Sequence, residues 1–176
     1  LLIGDSICNG YQPFVRDELA GTAYVAFFAT SKCVTDKSYL RALEFFLDEY
    51  QYAVIHFNNG LHSLHTDPGE WEIGLRAAVK LLKQKARGAK VIWASSTPLK
   101  KPELTAKAKK LNEIAARVMA EEGIATDDLF ALLDPLDREA NWTDTYHYKE
   151  ETRKLQAKTV ADCVRQALGK GLASAA

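Results

Sequence analysis

Short apolar runs of strand length alternate along this chain with longer segments of helical period, and no other feature restricts the fold as much. Residues 1–4, 24–28, 52–57 and 90–94 read as strands buried on both faces, with a weaker fifth candidate at 123–126. Between them, Leu40, Leu43 and Leu47 share one helical face. So do Trp71, Leu75, Ala78, Val79 and Leu82, then Leu104, Leu111, Ala115 and Val118, and finally Val160, Cys163, Val164 and Ala167. Strands joined by helices pair in parallel and need helices on both faces. The expectation is therefore an α/β protein, a three-layer α/β/α sandwich of flavodoxin-like form on a mostly parallel sheet of about five strands. Residues 1–170 read as a single domain, with 171–176 as a flexible tail.

Composition narrows the function. At 176 residues with 47% hydrophobic and 26% charged, the chain can bury a sizeable core without staples. Lys plus Arg and Asp plus Glu both number 23, so no global field favours nucleic acid or an anionic membrane surface, and a small molecule is the expected partner. Cys8, Cys33 and Cys163 form no CxxC pair and cannot all be bridged internally, so they read as small buried hydrophobes rather than a disulfide scaffold or a zinc site. No apolar run approaches the roughly 20 residues of a membrane span. The chain begins on Leu1-Leu2-Ile3 with neither an initiator Met nor a basic leader region, which leaves removal of an upstream leader, tag or domain open and the compartment with it. Oligomeric state is equally open.

In open parallel sheets ligands bind beyond the carboxyl ends of the strands, so the residues following each apolar run come first. Gly4-Asp5-Ser6 closes the first run, and a helix looks to begin by Gly10-Tyr11. Ser6 thus sits on a strand-to-helix turn where its hydroxyl is exposed and the following amides face a developing oxyanion. On the tripeptide alone, Asp and Ser as ordinary turn and capping residues fit as well. A serine nucleophile needs a base held in the right tautomer by a third group. Of His56, His62, His65 and His147, only His147 follows an acid by three residues ahead of a final helix, in Asp144-Thr145-Tyr146-His147.

GDS at the end of the first strand together with DxxH before the last helix resembles the first and last signature blocks of the SGNH/GDSL hydrolases, and the resemblance spans nearly the whole chain. It implies Ser6 as nucleophile, Asp144 and His147 as the rest of a triad, and no metal or organic cofactor. The family's oxyanion hole combines the serine amide, a glycine amide after the second strand and an asparagine side chain after the third. Here the third strand leads into Asn58-Asn59-Gly60-Leu61-His62, which is similar to an Asn-x-Gly-Leu-His variant of the family; Asn58 is the expected donor, with Asn59 as alternative. The second block, Ala29-Thr30-Ser31-Lys32-Cys33-Val34-Thr35, has no glycine, and ungapped spacing puts Cys33 at that place.

His62, Trp142 and Tyr146 are candidate substrate contacts, the two aromatics as a wall against a sugar or acyl group or, equally, as packing beneath a loop. His65 reads as a surface or hydrogen-bonded residue, and His56, inside a strand, as a satisfied polar residue facing the neighbouring layer. The implied activity is ester hydrolysis through an acyl-enzyme on a short acyl group, with an acetylated carbohydrate as the favoured substrate. Lysophospholipid or thioester hydrolysis is the alternative among enzymes, and a non-catalytic binding module on the same fold is the alternative outside them. Neither GxGxxG nor GxxxxGK[ST] follows any strand, which argues against a nucleotide-binding domain.

Overall fold

The computed structural model describes residues 1–172. Its elements run β1 (Leu2–Gly4), α1 (Ser6–Glu18), β2 (Phe27–Ala29), α2 (Lys37–Glu49), β3 (Val54–Phe57), a 3-10 turn (Leu61–Ser63), α3 (Pro68–Lys85), β4 (Lys90–Ala94), α4 (Pro102–Glu122), β5 (Ala125–Asp127), α5 (Leu129–Leu133), α6 (Arg138–Asn141) and α7 (Glu150–Leu172). The strands form one sheet in the order β2-β1-β3-β4-β5, every pair parallel. The expected α/β sandwich on a five-stranded parallel sheet is what the chain adopts.

Two apolar cores follow from the pleat. Ile3, Ile55, Phe57 and Trp93 face the layer of α2, α3 and α4, while Leu2, Val54, Ile92 and Ala94 face α1, α5 and α7. Trp71, Leu75, Ala78, Val79 and Leu82 of α3 are all buried, so the stripe read from the sequence is the packed face. Each large apolar side chain hidden this way contributes about 1.5–3 kcal/mol. Asp67 caps α3 by accepting from Gly69 N and Glu70 N, with Pro68 in the first turn. Gly123, at φ 68°, ends α4 in the left-handed conformation that glycine adopts without penalty. Cys8 and Cys33 are buried, Cys163 is half-buried, and all three are free.

Several expectations shift in position: β3 begins at Val54 rather than at residue 52, and β5 runs Ala125–Asp127 rather than 123–126, because Gly123 ends α4. β2 begins at Phe27 rather than Tyr24, because it is an edge strand whose partner β1 offers only Leu2, Ile3 and Gly4 for pairing, and Tyr24 is left fully exposed. α1 begins at Ser6 instead of near Gly10, since Asp5 caps it there. α7 includes residues 171 and 172, and the remainder of the expected tail, 173–176, lies outside the described residues. No helix among the described residues is long and apolar enough to cross a membrane.

Candidate active site

The strand order reverses across β1, with β2 on one side and β3 on the other, so loops leaving their carboxyl ends diverge and open a crevice there. Ser6 stands at that point as the first residue of α1. Asp5, not Ser6, does the capping: Asp5 Oδ1 accepts from Ile7 N at 2.8 Å, which leaves the Ser6 hydroxyl free of that role. Gly4 makes the tight turn possible, because a Cβ there would lie 2.6 Å from Cys8 Cβ. Burial raises the Asp5 carboxyl above its ordinary value, opposed by the Ile7 N–H and by the charge of His62, which places His62 beside this turn.

His147 Nε2 lies 2.9 Å from Ser6 Oγ, and His147 Nδ1 lies 2.9 Å from Asp144 Oδ2 and 3.1 Å from Oδ1. Asp144 Oδ1 also accepts the backbone N–H groups of Tyr146 at 2.7 Å and His147 at 2.9 Å. These bonds, the Tyr146 N–H first, hold its carboxyl down to about 2, so it stays ionised and keeps the imidazole oriented. The loop is pinned from below. Trp142 and Tyr148 form an antiparallel bridge with rings 4.5 Å apart, the Tyr148 hydroxyl donates to Pro98 O, and Lys100 N donates to Thr145 O at 3.0 Å.

The expected oxyanion donors fare differently. Cys33 N–H donates to Asp36 Oδ2 at 2.8 Å, so it is already committed and cannot serve an oxyanion while that bond stands. Asn58 Nδ2 donates to Ala94 O at 2.7 Å and to Ser96 Oγ at 3.2 Å, engaging both of its hydrogens across the ends of β3 and β4. Asn59 is buried and locked at both ends: Oδ1 accepts from Val34 N at 3.0 Å, and Nδ2 donates to Lys32 O at 2.9 Å. Gly60 lets this loop approach β4, since a Cβ would fall 1.6 Å from Ser96 Oγ.

Trp142 as a substrate wall is corrected. At 1% exposure it is a packing residue beneath the loop, with the Arg138 guanidinium 4.5 Å above its ring. Tyr146 keeps 38% exposure next to the imidazole, and His62 is exposed on the 3-10 turn, so both remain accessible at the crevice. His65 lies on the surface with Nδ1 3.1 Å from Lys107 Nζ. His56 faces the α1/α7 layer, its Nε2 2.9 Å from Asp127 Oδ2 on β5, while its Nδ1 has no partner among the described residues.

No protein-family model matches the sequence, and no curated protein matches it. Solved structures do. A member of the lipolytic protein G-D-S-L family from Veillonella parvula superposes with a TM-score of 0.74 at 20% identity, covering 92% of this chain and 94% of that one. The chain has the fold of the SGNH/GDSL hydrolases. Within that fold it is also similar to the acetyl xylan esterase AlAXEase, with a TM-score of 0.77 at 17% identity over 93% of this chain and 98% of that one. The lipase/acylhydrolase from Enterococcus faecalis gives 0.72 at 17% identity over 94% and 95%.

On this SGNH/GDSL fold, sequence reasoning missed the end of β4. Ser96 is clasped by Asn112 of α4, whose Oδ1 accepts from Ser96 N and whose Nδ2 donates to Ser96 O, both at 2.8 Å. Nothing local marks Asn112 among the polar residues of its helix, whereas the position of Ser96 just beyond a strand end was the available signal. Arg153 and Gln156 of α7 were missed as well, although a glutamine one turn before Val160 on the apolar face was a visible anomaly.

Proposed function

We propose that the chain is a serine esterase that cleaves a short-acyl ester through an acyl-enzyme, with an acetyl ester of a carbohydrate as its substrate class. The observation that carries this reading is the continuous relay Ser6 Oγ–His147 Nε2 at 2.9 Å and His147 Nδ1–Asp144 Oδ2 at 2.9 Å. His147 takes the Ser6 proton as Oγ attacks the acyl carbon, then returns it to the departing alcohol oxygen; water repeats the sequence to release the acid. Asp144 orients the imidazole and balances its transient charge.

The oxyanion forms against Ser6 N–H at the amino end of α1 and against Asn58, which is half-buried and gives up its longer Ser96 contact to donate. In the loop after β2, Ser31 is the residue whose N–H finds no acceptor among the described residues between Thr30 and Val34, which makes it the backbone donor in place of Cys33. The acetyl xylan esterase among the similar structures favours an acetylated sugar over a lysophospholipid or thioester.

The deciding experiment is p-nitrophenyl acetate hydrolysis by wild type and Ser6→Ala. Turnover abolished in the variant is the expected result; equal turnover, or none from folded wild type, leaves a non-catalytic binding module in its place. A preference for long-chain p-nitrophenyl esters would overturn the short-acyl assignment.

A further inference from the structure

A second cavity, of about 380 Å³, opens against the triad on the α1/α7 side and is lined by Ser6, His147, Asn9, Thr143, Arg153 and Gln156, among others. Its position has a chemical meaning that rests on the esterase reading. The departing alcohol oxygen must take its proton from His147, so the alcohol half of the ester lies within reach of that imidazole. This cavity touches both the nucleophile and the base, and its other walls mix the polar Asn9, Thr143, Arg153 and Gln156 with Ile7, Gly10 and Tyr148.

Two of those walls are unusual. Gln156 is 0% exposed, yet neither its Oε1 nor its Nε2 has a hydrogen-bond partner among the described residues. An unpaired buried amide is destabilising and is retained in native structures for a reason. Arg153 has no carboxylate partner among the described residues, and its Nε is buried without an acceptor, whereas its neighbour Lys154 is paired with both Glu150 and Glu151. The arginine is held across α1 by packing: its Cζ is 5.8 Å from the Phe14 ring, and a Cβ on Gly10 would come within 3.2 Å of its Cδ. A guanidinium fixed by apolar contacts, with its donors uncommitted, matches the fork of a carboxylate or phosphate.

We propose that this cavity is the subsite for the alcohol half of the substrate, that this alcohol carries an anionic oxygen group, and that Arg153 receives the anion while Gln156 supplies further hydrogen bonds. The favoured substrate is then an acetyl ester of an acidic alcohol, such as an acidic sugar or a polyol phosphate, rather than of a neutral one. A carboxylate and a phosphate share the chemistry that Arg153 recognises.

Two matched pairs of acetyl esters test this. One is 3-acetoxybenzoate against its methyl ester; the other is 1-acetylglycerol 3-phosphate against 1-acetylglycerol. Wild type is expected to favour the charged member of at least one pair by about tenfold in kcat/KM, and the pair that responds identifies the anion. The ratio falls to about one in Arg153→Gln and stays intermediate in Arg153→Lys. A ratio near one for wild type in both pairs, or one that survives in Arg153→Gln, overturns the subsite. If no ester is turned over in a Ser6-dependent way, the esterase reading itself fails, and calorimetric titration of Ser6→Ala with 3-hydroxybenzoate, its methyl ester and glycerol 3-phosphate decides the subsite separately. Tighter binding of an anion, lost on adding Arg153→Gln, supports it; no anion preference overturns it. Gln156→Leu is expected to raise Tm and to raise KM for the charged ester; a raised Tm with KM unchanged overturns the role of Gln156.

Discussion

His147 Nε2 lies 2.9 Å from Ser6 Oγ, although 141 residues separate the two in the chain. One partner is set at the carboxyl end of the first strand and the other in the loop that enters the last helix, and α1 packed on α7 brings them together. The relay therefore depends on the α1/α7 layer being assembled, which makes the site a reporter of that packing.

Asp144 stays ionised far into acid. Its carboxyl sits at about 2, below its ordinary 3.8, so the ionised group stabilises the fold at pH values above the ordinary one and that contribution disappears as pH falls through about 2. Asp144→Asn is expected to lower kcat by about 10³–10⁴-fold at neutral pH, by losing the correct tautomer of His147. In denaturant unfolding, the wild type's advantage over this variant is present at pH 5 and shrinks toward zero near pH 2. An advantage that grows on acidification would contradict the assignment.

Asn58 and Asn59 separate by readout. Asn58→Ala is expected to cost about 100-fold or more in kcat, the scale of one oxyanion donor. Asn59→Ala leaves Val34 N–H and Lys32 C=O without their buried partner, so it costs about 1–3 kcal/mol in stability by urea melts and reaches activity only through the loop. The reverse pattern would give Asn59 the donor role.

Gly60 and Ser96 are coupled by space alone. Gly60→Ala puts a methyl group 1.6 Å from Ser96 Oγ and is expected to destabilise by about 1–3 kcal/mol. Ser96→Gly in the same chain removes the clash, so the double variant regains part of the loss. Additive effects in a double-mutant cycle would show that the loop relaxes away from β4 instead.

Trp142 and Tyr146 flank the same loop with opposite roles. Trp142→Ala is expected to cost about 3–5 kcal/mol in thermal or urea unfolding, since the ring is fully buried beneath the loop. Tyr146→Ala leaves stability nearly unchanged and shifts KM. A Trp142 variant of normal stability with a raised KM would restore that ring to the substrate wall.

Much of the fold was legible because its signals are local. Periods of apolar residues mark the strands and helices, and α3 buries the face its pattern picked out. Parallel pairing followed from helix-length connections, and the turn that carries Ser6 followed from its place at a strand end. β2 was read too early because strand length on a sheet edge is decided by the partner β1, not by the apolar run itself.

By itself, then, the sequence determined the layers, the sheet and the pair of short motifs that meet at the crevice, since periodicity and turn chemistry act over a few residues. Tertiary structure alone decided which polar groups are spoken for. Asp36 captures the Cys33 amide, Ala94 O and Ser96 engage Asn58, and packing buries Trp142, while Arg153 Nε and the Gln156 amide find no hydrogen-bond partner among the described residues near Ser6. The physical reason is competition: a donor or acceptor is available for chemistry only if no distant residue satisfies it first, and that depends on the assembled fold.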